Sequence, residues 1–157
     1  MCLKGPILQA QIEITALFGN AHDILYASKN RTMSLITKGD YGKYLDDTLR
    51  AMSAWKQSWS SLQVATHLKC GLEMMYEYLR LYVSAFAFQA VISRADNSSS
   101  RPASSRKTTP FPHSIMASPD ARHIYEAVDA AKALLGIMSQ QLDPVRYLRY
   151  MPVRYYL

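Results

Sequence analysis

A chain of 157 residues, 49% apolar and 19% charged, is long enough for one hydrophobic core and too apolar to be disordered as a whole. Tyr, Met and Leu are plentiful, Gly is scarce and no long Val/Thr alternation occurs, a mixture that favours helices over sheet. The net charge of +6 is spread along the chain and not gathered on one arm or stripe, so it permits an acidic partner without indicating a nucleic-acid-binding face.

The opening MCLKGPILQAQIEI has neither the apolar run nor the small-residue cleavage site of a secretory signal. Cys2 follows Met1, but no lipidation signal accompanies it. Cys2 and Cys70 form no C-x-x-C pattern, so neither a disulfide framework nor a zinc site is suggested, and a reducing compartment is expected.

A first helix is predicted over 7–30. Ala10, Ile14, Leu17, Ala21 and Ile24 repeat at spacings of four and three, with Phe18 and Leu25 widening the stripe. The segment NRTMSLITKGDYG breaks this pattern. Asp40 is a suitable N-cap for a second helix to about Ser60, with Tyr41, Tyr44, Leu45, Thr48, Leu49, Met52, Trp55 and Trp59 on one side.

A third helix is expected from about Val64 to Arg94. Lys69, Glu73, Glu77, Arg80 and Ser84 fall three or four apart and make one narrow polar stripe. Past Ser84 the helix is apolar nearly all round. Its uncharged run, Leu81 to Ser93, falls short of the roughly 20 residues needed to cross hydrocarbon. Such a run is core, surrounded by other helices.

From Ala95 to Ser118 the composition shifts to ADNSSSRPASSRKTTPFPHSIMAS, with too little apolar surface to offset the entropy of ordering, and a disordered insertion is expected. Ser118 as N-cap, Pro119 at the first helical position and Asp120 in the first turn then signal a fourth helix. Its expected apolar face is Ala121, Ile124, Tyr125, Val128, Ala131, Leu135, Met138 and Leu142. Asp143 and Pro144 start a final helix, DPVRYLRYMPVRYYL, which Pro152 should kink or end. The sequence stops in mid-pattern at Leu157 with no cap or polar tail, so it is read as a piece of something longer.

Chemistry is thinly signalled. His22, His67, His113 and His123 make no H-E-x-x-H pattern. A di-iron bundle needs Glu-x-x-His on two helices, whereas His123 precedes Glu126 and does so once. Asp46-Asp47 resembles an Asp-rich magnesium motif for diphosphates only faintly, since Arg50 stands where a third carboxylate is wanted; the helix dipole explains the pair. Cys70 is structural unless a cation lies beside it, and no G-x-S-x-G, P-loop or dinucleotide fingerprint occurs.

These absences leave catalytic, metal and DNA-contacting residues all unassigned. The eleven tyrosines and their aromatic neighbours are read mainly as core, with a small-molecule cavity between helices as the alternative. Ser104, three residues after Arg101, and Thr109, before Pro110, are candidate phosphorylation sites beside Arg106 and Lys107, against the plainer reading of a solvated loop. The same basic residues make at best a weak nuclear-import signal.

The segments AHDILYASKNRT, GDYGKYLDD, YEYLRLYVSAFAFQAVISRA, DARHIYEAVDAAKALLGIM and DPVRYLRYMPVRYYL, taken in succession, resemble the middle homology region of fungal zinc-cluster (Zn2Cys6) transcription factors. That family also carries a variable, low-complexity break before the helix that begins here at Asp120. The resemblance implies a nuclear, non-enzymatic regulator whose DNA-reading six-cysteine, two-zinc head lies outside this sequence. Zinc is expected only in that missing cluster, and no cofactor in this chain.

The fold expected is all-α: an irregular bundle of about five helices and an incomplete domain. It divides into helical segments 1–94 and 120–157 around a disordered loop 95–119. The function expected is that of a regulatory, non-DNA-contacting middle region. It would work through helix packing and contacts with other parts of the regulator, transcription proteins or a small-molecule effector, with DNA reached only through the missing domain and no membrane. The alternative is an independent helical ligand-binding or enzymatic bundle.

Overall fold

A computed structural model describes residues 4–99 and 118–141. The described residues are all-α. Five helices run in order: α1 Lys4–Leu25, α2 Lys29–Lys38, α3 Tyr41–Trp59, α4 Thr66–Ser99 and α5 Ala121–Gly136, the last passing directly into a π-helical turn, Ile137–Gln141. The predicted helix over 143–157 and the candidate phosphorylation sites Ser104 and Thr109 lie outside the described residues.

The first correction concerns 7–42. The single helix expected over 7–30 ends at Leu25, and the segment read as a break holds a helix of its own, α2. Ser28, in extended backbone, accepts the Arg31 amide at 3.2 Å and caps α2. Gly39, at φ 75°, closes it in the left-handed conformation, its N–H donating to the Leu35 carbonyl. The Arg31 Nε and Thr32 hydroxyl donate to the Ile24 and Leu25 carbonyls, both at 2.8 Å. They satisfy groups that the end of α1 would otherwise leave unpaired.

One core joins all five helices, α5 contributing Ile124. Ala10, Ile14, Ala21 and Leu25 of α1 meet Tyr41, Leu45, Met52 and Trp55 of α3 and Leu79, Val83, Phe86 and Ala90 of α4. These residues are buried at the three- and four-residue spacings that the sequence displays. Aromatic side chains bridge the layers. Phe18 stacks on Tyr82 at 4.7 Å, while Tyr26 and Tyr41 each lie 5.3 Å from the Phe86 ring.

The apolar run of α4 is core on most of its circumference, but Phe88 and Ile92 keep 47% and 38% of their surface exposed. The described helices therefore do not surround it completely. In addition, α4 continues to Ser99, past the change of composition at Ala95.

The second correction concerns α5. Its buried residues are His123, Ile124, Ala127 and Ala130, while Tyr125, Val128 and Leu135, expected on the inner face, are exposed. The helix is turned so that small residues face α4. Ala127 and Ala130 are buried, and α5 packs along α4; small side chains let two helices approach closely. The expected caps also differ. Asp40, expected to cap α3, makes no side-chain capping bond, and Asp120, expected in the first turn of α5, stands at its N-cap position instead, so that α5 begins at Ala121. Ser118 contributes ahead of it, its hydroxyl accepting the Asp120 amide and its carbonyl the Ala121 amide.

Candidate ligand groove

The end of α3, the segment 60–65, the first half of α4 and the end of α5 enclose a groove of about 500 Å³. Trp55, Trp59, Leu62, Leu72 and Tyr76 form its apolar wall, and Ala133, Gly136, Ile137, Gln140 and Gln141 close it from the α5 side. A hollow of about 370 Å³ adjoins it and reaches Thr66 and Cys70. The size and aromatic lining fit a small organic ligand.

Specific contacts position both walls. Trp55 donates its indole N–H to the Ala10 carbonyl at 3.1 Å, and Trp59 donates to a Glu13 carboxylate oxygen at 2.8 Å. Both polar tips are thus tied to α1, and the tryptophans offer the groove only ring surface. Trp55 also stacks on Tyr76 with ring centres 6.1 Å apart and planes 15° from parallel. On the opposite side Ile137 packs with Cys70 and Met74 in a small satellite core. The π-helical turn there is a geometry often found at functional sites.

Lys56, Lys69, Glu73 and Glu77 bring charge to the groove. Glu77 is buried, at 7% exposure. The Arg80 guanidinium meets one of its oxygens at 2.8 Å, and its other oxygen lies 3.9 Å from the exposed Lys56 ammonium. That ammonium also sits 4.6 Å from the centre of the Tyr76 ring. Arg80 is shared, because its Nε donates to Glu126 of α5 at 2.6 Å. Burial opposes the charge on Arg80, yet its hydrogen bonds to Glu126 and Glu77 prevail and raise its pKa above the ordinary guanidinium value.

Further polar contacts hold α5. Asp120 accepts from the Tyr41 hydroxyl and from Arg94, joining the starts of α3 and α5 to the end of α4. Burial first, then the hydrogen bond to Asp120, pushes the Tyr41 pKa up to about 12. Asp46 lies 3.2 Å from Arg122 and 3.7 Å from His123. Burial lowers the His123 pKa, and the Asp46 carboxylate acts against that shift.

These contacts place the motifs singled out by sequence. Asp46 holds α5, while Asp47 pairs with Arg50 on the surface at 3.0 Å. His123 and Glu126 share a helix but have different partners, Asp46 and Arg80. Cys70 is buried, and that burial raises its thiol pKa. Among the described residues, no group of three or more His, Cys, Asp or Glu side chains is placed to hold a metal ion, and no helix is long and apolar enough to cross a membrane.

Sequence reading did not assemble the groove. Its aromatic residues were legible as helix-face residues, but its other wall comes from residues 133–141. Comparison with protein-family models, with curated proteins and with solved structures finds no match to this chain.

Proposed function

We propose that this chain is the regulatory, non-DNA-contacting middle region of a fungal zinc-cluster transcription regulator. In this reading it acts in the nucleus through helix packing, in response to a small effector or to other transcription proteins. It is not catalytic. Zinc and DNA are handled by a cysteine cluster elsewhere in the regulator, and no step here passes through either.

One observation carries the mechanism: the groove wall and the seat of α5 share Arg80. Glu77 lines the groove, Arg80 holds Glu77, and Arg80 holds Glu126 of α5. A ligand that contacts Glu77 therefore changes the electrostatic seat of α5. It shifts the packing equilibrium by its difference in affinity for the two arrangements. Phe88 and Ile92 of α4 and Tyr125, Val128 and Leu135 of α5, all exposed, offer apolar surface for contacts with the rest of the regulator. The succession of resembling segments supports the family assignment.

The experiment is a reporter assay with the chain placed between a heterologous DNA-binding domain and an activation domain. The expected result is several-fold lower output with the chain present, relieved by Glu126→Gln, which weakens the seat of α5. Equal output with and without the chain would contradict the regulatory role. With ligand binding retained in the groove, that outcome would favour the self-contained ligand-binding bundle.

A further inference from the structure

The charges around the groove are unevenly buried. Glu77 and Arg80 are largely shielded from water, their side chains 9% and 19% exposed, whereas Lys56 stands 57% exposed on a flexible stem. Arg80 divides its single positive charge between Glu77 and Glu126. The inner cluster of Glu77, Arg80 and Glu126 therefore carries one net negative charge, which Lys56 meets only at 3.9 Å and from the solvent side.

The Lys56 ammonium already marks where a cation is stable. It lies over the Tyr76 ring face and near the Glu77 carboxylate together. A ring face and a carboxylate are the two partners that an organic cation needs when it leaves water. Beside that position the groove is apolar and aromatic, with Trp55, Trp59 and Leu72 on its wall.

We infer that the groove binds an organic ammonium compound with an aromatic or apolar body. Its cationic head takes the position held by Lys56, between Glu77 and the Tyr76 ring, and its body lies against Trp55, Trp59 and Leu72. Lys56 serves as a resident stand-in that swings into solvent when the ligand enters. The inference rests on the reading of the groove as an effector site and names the class of effector. It gives a ligand-binding use to a carboxylate that lines the groove at 7% exposure.

The test uses phenethylammonium as probe and phenylethanol, its uncharged analogue, as control, both titrated into the full chain. Trp55 and Trp59 are the only tryptophans, so their fluorescence reports on the groove directly. The expected result is a saturable change with phenethylammonium and binding about tenfold weaker for the alcohol. Glu77→Gln should erase that preference. Lys56→Met, at an exposed position, should tighten the ammonium severalfold relative to the alcohol.

Equal binding of the two probes to the native chain, or an ammonium affinity unmoved by Lys56→Met, would overturn the inference while leaving the groove a site for neutral rings. If Glu77→Gln fails to fold, the Lys56→Met result alone decides. No saturable response to either probe would overturn the inference and remove the small-molecule arm of the proposed function. The reporter assay would still test regulation by protein contacts.

Discussion

Glu126 of α5 and Glu77 of α4 never touch, yet one guanidinium holds both. Arg80 meets the first at 2.6 Å and the second at 2.8 Å. The docking of the last described helix and the charge on the groove wall are therefore two ends of one contact. Removing Arg80 strands one largely buried carboxylate and releases the other.

Arg80→Met should accordingly cost about 3 kcal/mol, the range found when one partner of a largely buried pair is removed. Urea unfolding measures it. The double variant Arg80→Met/Glu77→Gln should recover part of the loss, because the carboxylate left unpaired is then gone. A loss under about 0.5 kcal/mol would mean that water already screens the pair.

Phe86 and Phe88 stand two residues apart on α4 and should respond oppositely to truncation. Phe86 is fully buried against Tyr26 and Tyr41, and Phe86→Ala should cost about 3–5 kcal/mol. Phe88 is 47% exposed, so Phe88→Ala should cost under about 1 kcal/mol. Thermal unfolding of both variants compares them directly.

Acid should weaken the fold through His123. Burial lowers its pKa below 6.5, so between the two values the unfolded chain binds a proton that the folded chain refuses. The stabilisation is fully present above the unfolded value and is lost as pH falls through that window, with a slope of at most about 1.4 kcal/mol per pH unit. Asp46, Asp120 and Glu126 around the ring favour its charged form and Arg122 disfavours it, so the observed slope should lie below that limit. In His123→Gln the stability curve between pH 7 and pH 5.5 should be flatter than in the native chain. Identical curves would contradict the assignment.

Two glycines should answer to alanine with opposite signs. Gly39 closes α2 at φ 75°, where an added Cβ costs roughly 1 kcal/mol from backbone conformation alone. Gly71 lies within α4, and a Cβ built there meets nothing within 4 Å. Gly71→Ala should thus gain up to about 1 kcal/mol from helix propensity. Denaturant midpoints of the two variants, moving in opposite directions, check the pair.

The helical class was legible because Ala10, Ile14, Leu45, Met52, Leu79, Val83 and Phe86, all buried, recur at helical spacing. Helix α2 was not read, although its signals were present in Ser28 ahead of it and Gly39 after it. With ten residues, and Thr32, Leu35 and Ile36 as its buried set, it carries too short an apolar repeat to stand out. The face of α5 was misread for a different reason. Apolar size suggests Tyr125, Val128 and Leu135, whereas close approach to α4 selects Ala127 and Ala130, and periodicity alone cannot weigh the two. The groove was beyond sequence reading, since it depends on residues 55–77 meeting residues 133–141 across the α4–α5 contact. Even the polar stripe of α4 did not announce that Glu77 and Ser84 would be buried.

The central claim, that this chain is the middle of a zinc-cluster regulator, is tested most directly by sequencing the native transcript on both sides of this reading frame. The account predicts a Cys-x2-Cys-x6-Cys cluster encoded upstream and further apolar helices encoded after Leu157. A stop codon directly after Leu157, with no cysteine cluster upstream, would contradict it and leave the independent ligand-binding bundle as the reading to pursue.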